Sequence, residues 1–140
     1  MTTEETKKWL SRAYWIDKEL SALEQARREA WEQVTSATSN YEQHTKQTRN
    51  VHRFDKIAEL DDLIGQMTDA LLCAKTEIIK EIGALPEEKG RVLLEKRYLS
   101  GESFDSIAQF MNYEIRQVFR IHGAAIKELA LRLSQEDNNG

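Results

Sequence analysis

Residues that break helices are scarce in this chain of 140 residues, which has one proline, Pro86, and six glycines. Since proline and glycine punctuate regular structure, their scarcity favours a few long helices over many short strands. Cysteine is equally rare: Cys73 stands alone, which excludes an internal disulfide and fits a reducing cytosol.

Long apolar runs are missing as well. No run approaches the roughly 18 residues that span a bilayer, and the N-terminal MTTEETKKWL lacks the apolar core of a secretion signal. Apolar residues nevertheless make up 40% of the chain and charged residues 31%, which is too apolar for wholesale disorder. We expect a folded, cytoplasmic protein with no membrane partner.

Patterns typical of catalysis and metal binding are also lacking. The sequence contains no glycine-rich phosphate loop and no nucleophile elbow. His44 and His52 stand eight residues apart, and together with Cys73 they form no recognised metal-ligand spacing. We therefore expect no enzyme activity, no cofactor and no structural metal.

The charge is distributed unevenly. Residues 54–85 carry 3 basic and 7 acidic side chains, a net of −4, whereas residues 86–133 carry 8 basic and 7 acidic, a net of +1. Within 115–133, one acidic residue, Glu128, stands against four basic ones: Arg116, Arg120, Lys127 and Arg132. This late segment is either a solvated basic surface or a contact for a polyanion.

The first 85 residues read as two long helices. Thr2-x-x-Glu5 has capping-box spacing, and a heptad seam follows to about residue 41: Trp9, Ala13, Ile16, Leu20, Leu23, Arg27, Ala30, Val34, Ala37 and Tyr41. A polar stretch predicts a loop over residues 40–52. A second seam then runs from Phe54 to Leu85: Ile57, Leu60, Ile64, Met67, Leu71, Ala74, Ile78, Glu81 and Leu85, with Ile82 beside it and Cys73 expected to be packed near it.

These two helices predict a coiled-coil-like helical arm, residues 1–85. An antiparallel hairpin within one chain satisfies the two seams, and a homodimer made from the same seams satisfies them equally. Pro86 ends the second helix and marks the boundary to a C-terminal module, residues 86–133.

In that module the spacing predicts three shorter helices. The first covers Glu87–Leu99 and ends at Ser100-Gly101; the second is capped by Ser103, covers Phe104–Met111 and buries Ile107, Ala108 and either Phe110 or Met111. Asn112-Tyr113 forms a turn, and the last helix covers 114–133 with an inward set of Val118, Ile121, Ala125, Leu129 and Leu133. Residues 134–140 are expected to be a disordered tail.

A short helix, a tight turn and a basic second helix are the arrangement of a helix-turn-helix that reads the major groove of DNA. The inward set leaves Arg116, Gln117, Arg120 and Lys127 facing outward. Arginine can bind guanine through two hydrogen bonds, glutamine can pair with adenine, and lysine suits phosphate.

Residues 86–133 resemble region 4 of sigma-70-type factors and, more closely, the RinA/ArpU-type regulators of phages and prophages. The resemblance is carried by the segments LLEKRYLSGESFDSIAQFMNY and RIHGAAI. The resemblance implies an activator of phage late, packaging or lysis genes that works in the bacterial cytoplasm, on the nucleoid when bound. The expected partner is double-stranded promoter or operator DNA, and the helical arm is expected to mediate homodimerisation or contact with host RNA polymerase.

Carried over position by position, Arg116 and Arg120 match base-contacting positions of the sigma recognition helix, with Gln117 between them. We add Ser103, Tyr113, Ile115 and Lys127 to the predicted DNA-binding residues. Ile115 stands where sigma factors have arginine, and Glu114 where a serine or threonine cap is usual. We therefore do not carry over the preference of sigma factors for the −35 promoter element.

A second interpretation remains open. The acidic stretch 54–85 would repel DNA, which favours a coiled-coil adaptor that docks on RNA polymerase or another protein without reading DNA itself.

Overall fold

The computed structural model describes the backbone of residues 1–36 and 43–139 and the side chains of residues 1–35 and 51–137. Every regular element in these ranges is helical, as predicted: α1 (Thr3–Ser36), α2 (Gln43–Gly83), α3 (Glu88–Leu94), a π-helical turn (Glu95–Leu99), α4 (Phe104–Met111) and α5 (Ile115–Asn139). None of the described helices combines the length and apolar character that crossing a membrane requires.

Helix α1 begins as its capping signal predicts. The amide of Glu5 donates to Oγ1 of Thr2 at 3.1 Å, and the Thr6 amide donates to the Thr2 carbonyl at 3.0 Å. Every seam residue from Trp9 to Val34 is buried or half-buried, including Arg27. The remaining seam positions, Ala37 and Tyr41, lie outside the described residues.

Helix α2 begins at Gln43, well before the expected start at Phe54. The predicted loop over 40–52 is therefore wrong for residues 43–52, while 40–42 lie outside the described residues. Helix propensity is a weak preference, and a helix that is already established next to the stretch extends readily because each further residue adds a backbone hydrogen bond. Just after the stretch, the Arg53 guanidinium donates to the Gln33 carbonyl at 3.1 Å. The seam of α2 is buried or half-buried from Ile57 to Glu81.

Cys73 does not pack in the interior, contrary to expectation, and its side chain is exposed. Its neighbour Ala74 occupies the seam and is 4% exposed. Because adjacent helical residues point about 100° apart, the residue before a central seam position turns towards solvent.

The chain divides into two compact units, one of residues 16–71 and the other of residues 1–15 with 72–140. In the first, Arg27 bonds Asp61, and the rings of Trp31 and Phe54 meet edge to face with centroids 5.8 Å apart. Trp31 follows Arg27 along α1, whereas its contact Phe54 comes before Asp61 along α2. The two helical segments therefore run in opposite directions within this unit.

The second unit holds the largest fully buried side chains in the described part of the chain. They come from all five helices: Thr6, Leu10, Ile78, Ile82, Leu93, Leu94, Ile107, Val118, Ile126 and Leu129. The first turns of α1 and the last turns of α2 therefore share one core with the C-terminal helices.

The predicted domain boundary at Pro86 lies inside the second of these units. Helix α2 does end just before it, at Gly83, but Glu81 accepts a hydrogen bond from Nε of Arg132 on α5 at 3.3 Å. At the other end of the chain, the Met1 amino group donates to Oγ of Ser134. Residues 134–139, expected as part of a disordered tail, continue α5, and the pair of Arg132 with Glu136, one turn apart, supports the helix at this end.

The predicted helix Glu87–Leu99 is divided into α3 and the π-helical turn. The Ser100 amide donates to the Glu95 carbonyl at 3.1 Å, which is the five-residue step of a π-helix. Gly101 then adopts a φ of 71°, a left-handed conformation that glycine accepts without strain. The helix end predicted at Ser100-Gly101 is confirmed.

Candidate nucleic-acid interface

Helix α4 has the bounds that the sequence predicts, because both of its ends have capping residues. Oγ of Ser103 accepts a hydrogen bond from the Ser106 amide at 3.1 Å. Asn112 closes the helix with a φ of 59°, in the left-handed region that asparagine tolerates better than most residues. The Tyr113 amide donates back to the Ala108 carbonyl at 3.0 Å. The path of the chain between α4 and α5 is thus set by backbone bonds.

The two helices pack through the predicted residues. Ile107 and Ala108 on α4 are buried, as are Val118, Ala125, Leu129 and Leu133 on α5, with Ile121 half-buried. Of the two remaining candidates on α4, Met111 is half-buried while Phe110 is 63% exposed. Phe110 lies under the Lys96 ammonium, which is 3.6 Å from its ring centroid.

Four predicted DNA-binding side chains are exposed on α5: Arg116, Gln117, Arg120 and Lys127. Among the residues that the structure describes, none of the three basic ones forms an ion pair with an acidic side chain. Arg132 differs, because it bonds Glu81 at 3.3 Å and Glu136 at 3.8 Å. On α5, the basic side chains without an ion pair among the described residues therefore lie between positions 116 and 127.

The other three predicted DNA-binding residues have roles in the fold. Ser103 caps α4, although its side chain remains exposed. Tyr113 is half-buried, with the Lys89 ammonium 5.3 Å from its ring centroid, and a hydrogen bond to Tyr113 raises the pKa of Lys89. Ile115 is half-buried at the start of α5. Contact of these three with DNA stays a prediction.

His122 belongs to the interior of this unit and not to its basic surface. It is 9% exposed, and its Nε2 lies 2.8 Å from the Tyr98 hydroxyl. Burial, followed by the nearby charges of Lys7 and Arg97, lowers the pKa of His122 to about 4. A neutral, buried imidazole is unsuited to binding phosphate.

Two carboxylates border the turn between α4 and α5. Asp105 and Glu114 line an open concavity together with Gln109, Asn112 and Tyr113. Negative charge at this place repels anions such as phosphate, whereas Arg116 and Arg120 attract them.

Phe119, which is not among the predicted DNA-binding residues, lies on the same exposed part of α5 and is 51% exposed. Its ring meets that of Phe104 edge to face, with centroids 5.1 Å apart and planes at 64°. A signal was present in the sequence, since position 119 falls outside the inward set of Val118 and Ile121.

Among the described residues, no group of three or more histidine, cysteine, aspartate or glutamate side chains could hold a metal ion. Comparison of the chain with protein families, with curated proteins and with solved structures gave no significant match.

Proposed function

We propose that this protein is a sequence-specific, DNA-binding transcription regulator that inserts the first half of α5 into the major groove. One observation carries the proposal: Arg116 and Arg120 are exposed and have no ion pair among the described residues, on a helix whose start is set by a capped turn. Arginine in such a position can bond O6 and N7 of guanine through both arms of its guanidinium group.

The spacing of the cations supports this function. Arg116, Arg120 and Lys127 are separated by four and seven residues, which brings them within about 40° of one another around a helix. Buried Val118, Ala125 and Leu129 occupy the opposite side of α5. The result is a single basic stripe that projects away from the core and fits a groove between two phosphate backbones.

The finer features follow from the resemblance. α4, the turn and α5 would act as a sigma region-4-like helix-turn-helix, and α1 with α2 as a hairpin arm for dimerisation or polymerase contact. The target would be a promoter or operator of phage late genes, with activation of packaging or lysis functions as the outcome.

Binding measured over a salt series tests the proposal. Duplexes that the protein retains from a random pool are labelled, and fluorescence anisotropy gives the affinity between about 50 and 300 mM salt. We expect the logarithm of the affinity to fall linearly with the logarithm of salt, with a slope of about −0.9 for each phosphate contacted.

The matched variant is Arg116→Ala/Arg120→Ala, which removes two exposed cations and no described contact within the protein. It should lose the preference for the selected duplex. The absence of any wild-type complex at moderate salt would contradict DNA binding.

A second candidate, a protein adaptor, is favoured by a different surface. Trp15 is 63% exposed and Tyr14 44% exposed, and both line a concavity of about 360 Å³ together with Ser11, Arg97, Tyr98 and Gly101. Exposed aromatic residues beside an arginine are typical of protein contacts. Capture of purified RNA polymerase by the wild type but not by Trp15→Ala, without binding to any duplex, would favour this function.

A further inference from the structure

The ring of Phe119 is exposed on the part of α5 that carries Arg116 and Arg120. Half of this side chain faces water, where a phenyl group forgoes much of the stabilisation that burial would give. It adjoins Arg120 and lies one helical turn from Arg116. The ring is therefore part of the surface on which the proposed DNA contact depends.

Aromatic contacts hold the ring in place. Phe104 packs against it edge to face, and Phe104 itself is covered by the Arg97 guanidinium, 4.3 Å from its ring centroid. The His122 ring meets Phe104 from another side, with centroids 5.1 Å apart. A side chain supported in this way loses little conformational freedom on binding, so its apolar surface is preorganised for a ligand.

The major groove of DNA offers one apolar group that distinguishes bases, the C5-methyl group of thymine. An exposed phenyl ring beside these two arginines therefore has a specific counterpart at the edge of a base pair. A phosphate contact at this position is excluded by the chemistry of the ring, which has no hydrogen-bond donor.

We infer that Phe119 is a specificity-determining residue that packs against a thymine methyl next to the bases bonded by Arg116 and Arg120. This inference rests on the proposed DNA-binding function. It predicts that the preferred site contains a required thymine, flanked by a position where guanine is preferred.

The experiment replaces each thymine of the selected duplex in turn by deoxyuridine, which removes the methyl group and leaves base pairing intact. The full-length protein should bind one of these duplexes about threefold to tenfold more weakly, the loss expected for removing one buried methyl contact. Phe119→Ala should bind the thymine and deoxyuridine duplexes equally well, whereas Phe119→Leu should keep part of the difference. Circular dichroism establishes that each variant is folded.

Phe110→Ala is the matched control, since it removes an exposed phenyl ring from α4 of the same unit. It should retain the full sensitivity to deoxyuridine. If the wild type binds a selected duplex but no thymine-to-deoxyuridine change matters, or if Phe119→Ala is as sensitive as the wild type, the inference is overturned and DNA binding stands. If the wild type binds no duplex, the proposed function fails and the inference fails with it.

Discussion

The Tyr98 hydroxyl and Nε2 of His122 lie 2.8 Å apart, and their rings stack at 22° with centroids 5.9 Å apart. The π-helical turn contributes the tyrosine and α5 the histidine. Phe104 of α4 closes a further side of the imidazole. This contact joins three consecutive elements behind the basic stripe, and it keeps a titratable group in a partly apolar setting.

Stability should depend on pH through His122. An unfolded histidine binds a proton below about pH 6.5, whereas burial and the charges of Lys7 and Arg97 lower the pKa of His122 to about 4 in the folded chain. Between these values the unfolded state holds more protons. The free energy of unfolding should therefore fall by about 2–3 kcal/mol as the pH drops from 6.5 to 4.

Urea denaturation at several pH values measures this loss. His122→Gln provides the control, because it removes the proton-binding group and should flatten this part of the pH profile. An unchanged pH dependence in the variant would assign the loss to other groups.

The left-handed residue of the turn should tolerate glycine and resist alanine. Asn112 has a φ of 59°, a conformation that costs an ordinary side chain about 1–2 kcal/mol. Asn112→Ala should lower the free energy of unfolding by about 1 kcal/mol, and Asn112→Gly should leave it close to wild type. Urea unfolding with comparison of midpoints and slopes checks both. Equal destabilisation by the two substitutions would show that the asparagine side chain, and not the backbone conformation, matters.

Arg120 should carry base specificity. Arg120→Ala is expected to weaken binding at the selected duplex by about 1–3 kcal/mol and to change binding to random duplex much less. Lys127→Ala, on the same stripe, is the comparison, since a phosphate contact should weaken both duplexes alike. Titration of each variant with the selected and the random duplex gives the ratio of the two affinities, which measures base specificity. Equal losses for Arg120→Ala on both would reassign this residue to phosphate.

The pairing of α1 with α2 should be intramolecular. Arg27 bonds Asp61 at a partly exposed site, where such pairs contribute about 0.2–1 kcal/mol. Arg27→Glu and Asp61→Lys should each destabilise the chain, and the double variant should recover part of the loss. A mixture of the two single variants should show no such recovery, because the pair lies within one chain. Recovery in the mixture would indicate a dimer built from the same seams, in which each chain supplies the other's missing partner.

Much of the fold was predictable, because the capping residues and the spacing of apolar residues in the sequence agree with the helix ends and the buried positions of the structure. The Thr2 and Ser103 caps, the left-handed Gly101 and Asn112, and the limits of α4 are all as expected. The start of α2 was not, because the polar composition of residues 43–52 favours a loop when their tertiary surroundings are unknown. The exposure of the basic residues on α5 followed from the periodicity of its inward set, whereas Phe119 was missed because aromatic residues are ordinarily assigned to the core.

The sequence by itself determined that the chain is helical and which side of each helix turns inward, because periodicity and capping act over a few residues. Only the tertiary structure decided that the first turns of α1 and the last turns of α2 share a core with α3, α4 and α5. It also placed His122 in that core, beside Tyr98 and Phe104. Such burial depends on which helices pack against each other, and these helices are far apart in the chain. The spacing of residues along one helix does not specify which other helices it contacts.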